Sequence, residues 1–275
     1  MEPVKSNNAE IRVAVAGAGA AGSALIEALD AGVPGCVLTA ISARDIEAAR
    51  QRFAHLQSDV AFVDVDDLEP IADLVVECAP ATIFTRVVEP FVRAGKRALV
   101  LSSGALLTNM HLVDLAREKG GQIIVPTGAL LGLDAVTAAA EGTIHSVRML
   151  TRKPVAGLLG APYLIENAID ISALTEPMQV FKGTPREAAI GFPANLNVAV
   201  ALSLAGIGPD RTELEIWADP DLNRNRHDIE VDSDSAKLTL SIENIPTDNP
   251  KTGRITALSV VAALRKLNAP LRVGT

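Results

Sequence analysis

A glycine-rich turn between a predicted strand and a predicted helix constrains the fold of this chain more than any other feature. Residues 17–22 read GAGAAG and directly follow the apolar run IRVAVA, which is typical of a buried strand. In this context Gly17 permits a tight turn, and Gly19 lets the backbone approach a pyrophosphate. Gly22 lets the helix pack closely against the strand. The pattern predicts a dinucleotide-binding unit.

Further contacts with the dinucleotide are expected around this turn. A helix start carries free N–H groups that attract phosphates, and the ribose should lie at the end of the second strand. A serine and an arginine occupy that strand end in place of the usual acidic residue. They suit a 2′-phosphate at least as well as a hydroxyl, so NAD and NADP both remain open, and the arginine is alternatively a solvated surface residue. The expected contacts are Gly17, Gly19, Ala20, Ala21, Gly22, Ser42, Arg44, Cys78 and Ala79.

The spacing of apolar runs predicts the fold class. Strands and helices alternate over the first half, which predicts a parallel sheet with helices on both faces. After about residue 126, longer strands follow one another, which predicts an α+β half with a mostly antiparallel sheet. We therefore expect an α/β chain with an N-terminal Rossmann-type, doubly wound parallel sheet and a second α+β domain.

The same pattern suggests where the two domains divide. We assign residues 1–126 together with about 250–275 to a dinucleotide-binding domain, and residues 127–249 to the second domain. The last amphipathic helix is expected to pack back on the first domain. Pro90 should kink or divide a helix predicted near residues 82–94.

Composition excludes several classes of protein. The 275 residues carry a net charge of −8, which disfavours nucleic acid as a partner. No run of about 18 apolar residues is present to cross a membrane, and the polar N-terminal segment lacks a signal-peptide core. Two cysteines make neither a disulfide framework nor a four-cysteine zinc site. We expect a cytoplasmic enzyme without a metal.

One of the four histidines lies in a distinctive pattern. Period-two alternation puts His227, Ile229 and Val231 on one face of a predicted strand. His227 therefore points with the apolar face near the beginning of the strand. The pattern alone leaves two readings open, a hydrogen-bonded core histidine and a catalytic one. For the other three histidines we expect structural or surface roles.

Seven further motifs follow the glycine-rich turn in order along the chain. They are DLVVECA at 73–79, SSGAL at 102–106, TGALLGLDA at 127–135, TRKP at 151–154, FPANLNVAVALSLAG at 192–206, ADPDLNRNRH at 218–227 and NPKT at 249–252. As a set they resemble the L-aspartate dehydrogenase family, and the resemblance covers nearly the whole chain after residue 10. The segment before His227 is more basic than the family pattern, so the exact substrate is open, whereas the class of reaction is unaffected.

The resemblance implies an NAD- or NADP-dependent amino-acid dehydrogenase. Such an enzyme oxidises L-aspartate to iminoaspartate, or to oxaloacetate and ammonia, or runs in reverse, and it feeds NAD biosynthesis. The resemblance also implies a homodimer formed through the second domain. It marks His227 as the catalytic residue, which we expect to act as a general base. It further implies cofactor contacts at Ala129 and Asn195.

An acidic chain must supply local positive charge to hold the two carboxylates of aspartate. The candidates are Arg152, Lys153, Arg226 and Lys251, and each taken alone is also explained as a solvated surface cation. The two lysines are favoured because each stands beside a proline in a segment that resembles a turn. The expected substrate contacts are Lys153, Asn197, Lys251 and Thr252.

Two other functions remain open from the sequence. One is a different two-domain NAD(P)H reductase, either similar to dihydrodipicolinate reductase or a sugar dehydrogenase. The sugar enzymes use a lysine in an E-K-P motif after the fifth strand, where this chain has SSGAL. The other is a non-catalytic dinucleotide sensor, which would need an output surface, and the sequence has neither a helix-turn-helix nor a basic face.

Overall fold

A computed structural model describes residues 10–193, 196–247 and 253–275. The chain forms two compact units. The first comprises Met1–Leu101, His111–Ile124 and Ala257–Arg272, and the second comprises Ser102–Met110, Val125–Thr256 and Val273–Thr275. Residues 102–110, which the expected boundary assigned to the first domain, thus belong to the second unit.

The elements up to residue 124 alternate between strand and helix. In chain order they are β1 (Ile11–Ala16), α1 (Ala20–Asp30), β2 (Cys36–Ser42), α2 (Ile46–Arg52), β3 (Ala61–Phe62), β4 (Leu74–Glu77), α3 (Phe84–Arg93), β5 (Arg97–Val100), α4 (Ser103–Leu106), α5 (His111–Lys119) and β6 (Gln122–Ile124). All of them except α4 belong to the first unit.

The first unit contains a six-stranded sheet in the order β3-β2-β1-β4-β5-β6, with every pairing parallel. The chain reverses direction across the sheet between β1 and β4, so β1 lies beside the switch point where doubly wound folds bind ligands. The predicted Rossmann-type sheet is confirmed. Its strands are apolar because both faces are covered, and every residue of β4 is buried.

Pro90 does not divide its helix, so that half of the prediction of a kinked or divided helix is wrong. A short 3₁₀ turn at Ala81–Ile83 leads into α3, which continues past Pro90 to Arg93. The helix buries Val87, Val88 and Phe91 among other apolar residues. Proline removes one backbone hydrogen bond, and the burial of this apolar face offsets that loss.

The second unit contains longer strands and short helices. In chain order they are α6 (Leu133–Ala140), β7 (Ile144–Pro154), α7 (Val155–Leu158), α8 (Pro162–Glu166), β8 (Met178–Gly183), α9 (Pro185–Gly191), α10 (Asn197–Ala205), β9 (Glu213–Asp219), β10 (Asn225–Ser233) and β11 (Lys237–Asn244). A last helix, α11 (Ile255–Asn268), follows, and most of its length belongs to the first unit.

These strands form a five-stranded sheet in the order β11-β10-β7-β9-β8. The β7–β9 pair is parallel, and the other three pairs are antiparallel. The predicted α+β half with a mostly antiparallel sheet is confirmed. One face of the sheet contributes Val147, Met149 and Ile229 to a core that also contains Val136 of α6 and Val200 of α10.

The TRKP motif is not the turn that its proline suggested. Strand β7 is 11 residues long and ends at Pro154, because it pairs with β9 up to that residue and with β10 up to Arg152. Alternation along the strand buries Thr151 and Lys153, whereas Arg152 between them remains partly exposed.

None of the described helices is long and apolar enough to cross a membrane.

Candidate active site

The three glycines of the turn have different surroundings. Gly17 has a φ of +107°, and a Cβ there would lie 2.5 Å from the carbonyl oxygen of Cys78. A Cβ on Gly22 would overlap the carbonyl oxygen of Gly17. By contrast, apart from Gly19 and its two neighbours in the chain, no atom of the described residues lies within 4 Å of the position of a Cβ on Gly19. Packing therefore requires the outer two glycines, and the middle one borders open space.

Helix α1 begins at this open space with uncapped amides. Its N-cap residue, Gly19, supplies no side-chain hydrogen bond, and its first turn contains no acidic residue. Ala20 and Ala21, the first two helical residues, are too small to cover the N–H groups. Free amides at a helix N-terminus attract anionic groups. The turn therefore fits the pyrophosphate of a dinucleotide.

The end of β2 offers one exposed cation. Ser42 is buried, and its carbonyl oxygen accepts a hydrogen bond of 2.8 Å from the amide of Gly17. Arg44 is exposed. Asp45 caps α2 by accepting a hydrogen bond of 2.9 Å from the amide of Ala48. The carboxylate at this strand end is thus engaged with the helix, whereas Arg44 beside it is exposed.

The end of β4 adds a residue that the sequence analysis missed. Glu77 is fully buried, and its Oε1 accepts a hydrogen bond of 3.1 Å from the amide of Ala79. Burial, and to a lesser degree the charge of Glu77, raises the pKa of the Cys78 thiol. Cys78 is therefore a protonated thiol, and its carbonyl oxygen packs against Gly17. The sequence does contain a sign of this buried carboxylate, because Glu77 directly follows the apolar residues of β4.

The second unit holds His227 in a buried position near the beginning of β10. It is paired with Thr151 of β7 in the strand register, and the Thr151 hydroxyl is hydrogen-bonded to Nδ1 of the imidazole. The exposed fractions are 1% for His227 and 3% for Thr151. Burial, and to a lesser degree the positive charge of Lys153, lowers the pKa of His227 to about 3, against a smaller opposite effect of Asp228. The imidazole is neutral at physiological pH.

The sheet separates the three candidate cations that the structure describes. Lys153 lies on the same face of β7 as Thr151 and is only 4% exposed. On the opposite face Arg152 forms an ion pair of 3.4 Å with Asp219. Arg226, which is next to His227 in sequence, likewise faces away and forms an ion pair of 2.9 Å with Asp228. Lys153 is therefore the cation that shares a face with His227.

Two more expected contacts lie elsewhere in the second unit. The carbonyl oxygen of Ala129 accepts a hydrogen bond of 2.9 Å from Nδ2 of Asn244. Asn197 begins α10, and its Oδ1 accepts a hydrogen bond of 3.0 Å from the amide of Gly104. This hydrogen bond uses the oxygen of the side-chain amide and not its NH₂ group. The predicted contacts at Asn195, Lys251 and Thr252 lie outside the described residues.

No group of three or more histidine, cysteine, aspartate or glutamate side chains in the described ranges is arranged to hold a metal ion. Among the described residues of the second unit, His227 is a buried titratable group whose pKa is lowered by burial and by the charge of Lys153. It is fixed by Thr151 and accompanied by the cation of Lys153.

The lowered pKa of His227 has a measurable effect on stability. An unfolded histidine titrates near pH 6.5, whereas the folded one has a pKa of about 3. Between these values only the unfolded state binds the proton, so stability falls as the pH falls, by up to about 1.4 kcal/mol per pH unit. We expect the unfolding free energy of the wild type to lose more than that of His227→Gln between about pH 7 and 5. Urea titrations at several pH values check this, and parallel curves for the two proteins would contradict it.

Family models match both halves of the chain. The model described as "Homoserine dehydrogenase, NAD binding domain" matches residues 17–126. The model described as "Aspartate dehydrogenase, C-terminal" matches residues 134–267. The first match begins at the glycine-rich turn, and the second includes β7 and β10 with the buried histidine.

Relatives align along nearly the whole chain. The L-aspartate dehydrogenase of Bradyrhizobium diazoefficiens is 59% identical, over 98% of this chain and 95% of its own length. L-aspartate dehydrogenase 3 of Bordetella bronchiseptica is 58% identical, over 98% of this chain and 100% of its own length. The crystal structure of an aspartate dehydrogenase from Thermotoga maritima has the same fold, with a TM-score of 0.72 at 23% identity over 96% of this chain and 100% of that one. On these similarities, the chain belongs to the L-aspartate dehydrogenase family.

Proposed function

We propose that this protein is an NAD(P)-dependent L-aspartate dehydrogenase. It oxidises the Cα–N bond of L-aspartate to iminoaspartate, which water converts to oxaloacetate and ammonia, and it also catalyses the reverse amination. The observation that carries the proposal is the identity of 59% with an L-aspartate dehydrogenase over nearly the full chain. A buried neutral imidazole beside a buried lysine is consistent with a small anionic substrate.

The first unit supplies the cofactor site in this proposal. A bound nicotinamide cofactor would supply the hydride chemistry at Cα of the substrate, and the protein would supply binding and orientation. The amides that follow Gly19, at Ala20 and Ala21, hold the pyrophosphate. Ser42 and Arg44 lie at the ribose end of the site. Further expected contacts in the first unit are Gly17, Gly22, Cys78 and Ala79, and the family resemblance adds Ala129 and Asn195, which belong to the second unit in sequence.

The second unit supplies the groups that act on the substrate. Lys153 gives a compact positive charge for one carboxylate. His227 is the catalytic residue, and it meets the reacting group as a neutral imidazole that can form hydrogen bonds. We also assign substrate contacts to Asn197, Lys251 and Thr252. Arg152 and Arg226 are left out because each already pairs with an aspartate on the other face of the sheet.

A steady-state assay tests the function directly. We expect oxaloacetate and ammonia to drive oxidation of NADH or NADPH, and L-aspartate to drive reduction of the oxidised forms. Inositols and dihydrodipicolinate serve as alternative substrates, and purified His227→Ala protein is the matched control. Turnover of an alternative substrate without turnover of aspartate would identify a different reductase. Cofactor binding without turnover of any of these compounds would favour a dinucleotide sensor.

Arg44 should decide the choice between the two cofactors. If its guanidinium contacts the 2′-phosphate, Arg44→Ala removes a charge-assisted hydrogen bond worth about 1.5–3 kcal/mol, which is roughly a 10-fold to 100-fold loss of NADP affinity. NAD affinity should hardly change. Calorimetric titration of both cofactors measures this, with Arg117→Ala as a control that removes an exposed arginine from α5. Equal losses for NAD and NADP would show that Arg44 is only a surface cation.

We further propose that the enzyme is a homodimer that works in the cytoplasm and supplies iminoaspartate to NAD biosynthesis. The two cysteines of the chain are unpaired, in agreement with a reducing compartment. Light scattering on the purified protein should give twice the 28.7 kDa mass of the chain. A mass equal to that of one chain would exclude the dimer.

A further inference from the structure

The contact between Thr151 and His227 contains information about where the imidazole carries its proton. Strands β7 and β10 bring the two residues opposite each other, and the Thr151 hydroxyl meets Nδ1 of the ring. Both side chains are buried, so the contact is shielded from solvent. The second ring nitrogen, Nε2, is the one that remains for a ligand.

A neutral imidazole has one N–H group and one lone pair, and a hydroxyl has one hydrogen to donate. Two arrangements are therefore possible. In one, Nδ1–H donates to the Thr151 oxygen. In the other, the Thr151 hydroxyl donates to the lone pair of Nδ1, and the ring proton is then on Nε2.

Hydrogen-bond satisfaction distinguishes these arrangements. Among the described residues, the contact with Nδ1 is the one side-chain hydrogen bond of Thr151. If Nδ1–H were the donor, the hydroxyl hydrogen of Thr151 would remain buried without an acceptor, and buried unpaired donors are costly and rare. If the hydroxyl is the donor, its hydrogen and the lone pair of Nδ1 are both satisfied.

The charge of the ring supports the same assignment. A protonated imidazole would carry hydrogen on both nitrogens, and the contact would then decide nothing. Burial lowers the pKa of His227, and the nearby charge of Lys153 lowers it further. The neutral ring therefore predominates at physiological pH, and it must adopt one of the two tautomers.

We propose that Thr151 is a positioning residue that donates its hydroxyl hydrogen to Nδ1 of His227 and thereby holds the imidazole as the tautomer with its proton on Nε2. The ring then offers a substrate a hydrogen-bond donor. A neutral histidine in this state can polarise a carbonyl oxygen. The general base expected from the sequence would need the opposite tautomer, with a lone pair on Nε2.

The consequence for substrate choice rests on the proposed function. Lys153 and Nε2–H of His227 are both donors, so the pair favours a ligand rich in oxygen acceptors. In the amination direction, the C2 carbonyl oxygen of a 2-oxo acid, or the hydroxyl of the carbinolamine that it forms with ammonia, is the group that His227 would contact. The hydrogen bond would stabilise negative charge that develops on this oxygen.

Nitrogen NMR tests the tautomer without any turnover. Protein labelled with ¹⁵N-histidine is recorded at neutral pH with long-range ¹H–¹⁵N correlation, and the signals absent from His227→Gln protein identify the residue. We expect the pattern of an imidazole protonated at Nε2. A pattern that places the proton on Nδ1, or on both nitrogens, would overturn the proposal.

Two variants of Thr151 test the positioning role. Thr151→Val keeps the shape and removes the hydroxyl, so we expect the single tautomer to be replaced by a mixture. Loss of a partner that orients a histidine should lower kcat by about 10-fold to 100-fold, by analogy with such partners in metal sites. Thr151→Ser keeps the hydroxyl and should restore both the NMR pattern and kcat. An unchanged tautomer in Thr151→Val would contradict the role assigned to Thr151.

The measurements separate this inference from the proposed function. The NMR pattern is recorded on protein without substrate, so it stands even if aspartate is not turned over. Conversely, turnover of aspartate by a wild type protonated on Nδ1 would support the function and remove the tautomer assignment. If Thr151→Val proves unstable, the wild-type spectrum still decides whether the ring proton of His227 is on Nε2.

Discussion

His227→Ala should lower kcat by about 100-fold or more, the size expected when a positioned acid–base or hydrogen-bonding group is lost. The residue is buried near the beginning of β10, with Nδ1 held by Thr151. Removal of the ring takes away the group that meets the substrate and leaves the glycine-rich turn in the other unit unchanged. Cofactor affinity should therefore hardly change. Steady-state rates and a calorimetric titration of cofactor on the same preparation measure both quantities.

The competing explanation is a histidine that serves only the core. That explanation predicts a lower melting temperature with nearly normal kcat in the folded fraction. His145→Ala is the matched control because His145 is exposed on β7, and it should leave kcat unchanged. His227→Gln adds a further distinction, since a glutamine amide donates a hydrogen bond but is not a base at neutral pH. Activity of His227→Gln above that of His227→Ala would favour donation, and a folded, fully active His227→Ala enzyme would remove the mechanism.

Substitutions at Gly19 and Gly22 should both have large effects, but Gly19 should affect cofactor affinity alone, whereas Gly22 should also affect stability. Gly19 borders open space in the described structure, so Gly19→Val should fold normally and fill the volume that the pyrophosphate needs. Steric overlap of this kind costs about 1–3 kcal/mol, which corresponds to roughly a 10-fold to 100-fold loss of cofactor affinity. Gly22→Ala places its Cβ against the carbonyl oxygen of Gly17. It should therefore reduce the stability of the first unit as well.

Melting temperature and cofactor titration together distinguish the two glycines. Gly157→Ala is a suitable control, because a Cβ there meets no described atom within 4 Å and the residue lies in the second unit. It should change neither quantity. Unchanged cofactor affinity in folded Gly19→Val protein would mean that the dinucleotide binds elsewhere.

Local patterns in the sequence predicted most of the fold. The parallel sheet followed from apolar runs that alternate with helical segments, because strands covered on both faces are apolar throughout. The inward orientation of His227 followed from the two-residue period of a strand. The same period also shows that Arg226 and Arg152 face away, because each is adjacent in sequence to a residue on the buried face. The orientation of both arginines thus follows from the two-residue period of a strand.

The residues that contact His227 could not be predicted from the sequence. The hydrogen bond from Thr151 depends on the register between β7 and β10, and a shift of one residue would put Thr151 on the other face. The proline of TRKP suggested a turn because proline cannot donate a ladder hydrogen bond. Pro154 is tolerated because it is the last residue of β7. The low pKa of His227 likewise depends on burial and on Lys153, which only the assembled sheet brings near it.

The return of the chain to its first unit affects the order in which the protein folds during synthesis. Helix α11 contributes Val260 and Leu264, both completely buried, to the same core as β1 and α1. The ribosome makes β1 and α1 first, yet their core lacks this helix until about 240 more residues have been made. The second unit lies between these segments in sequence and can complete its own sheet earlier. The dinucleotide-binding unit is therefore begun first and finished last.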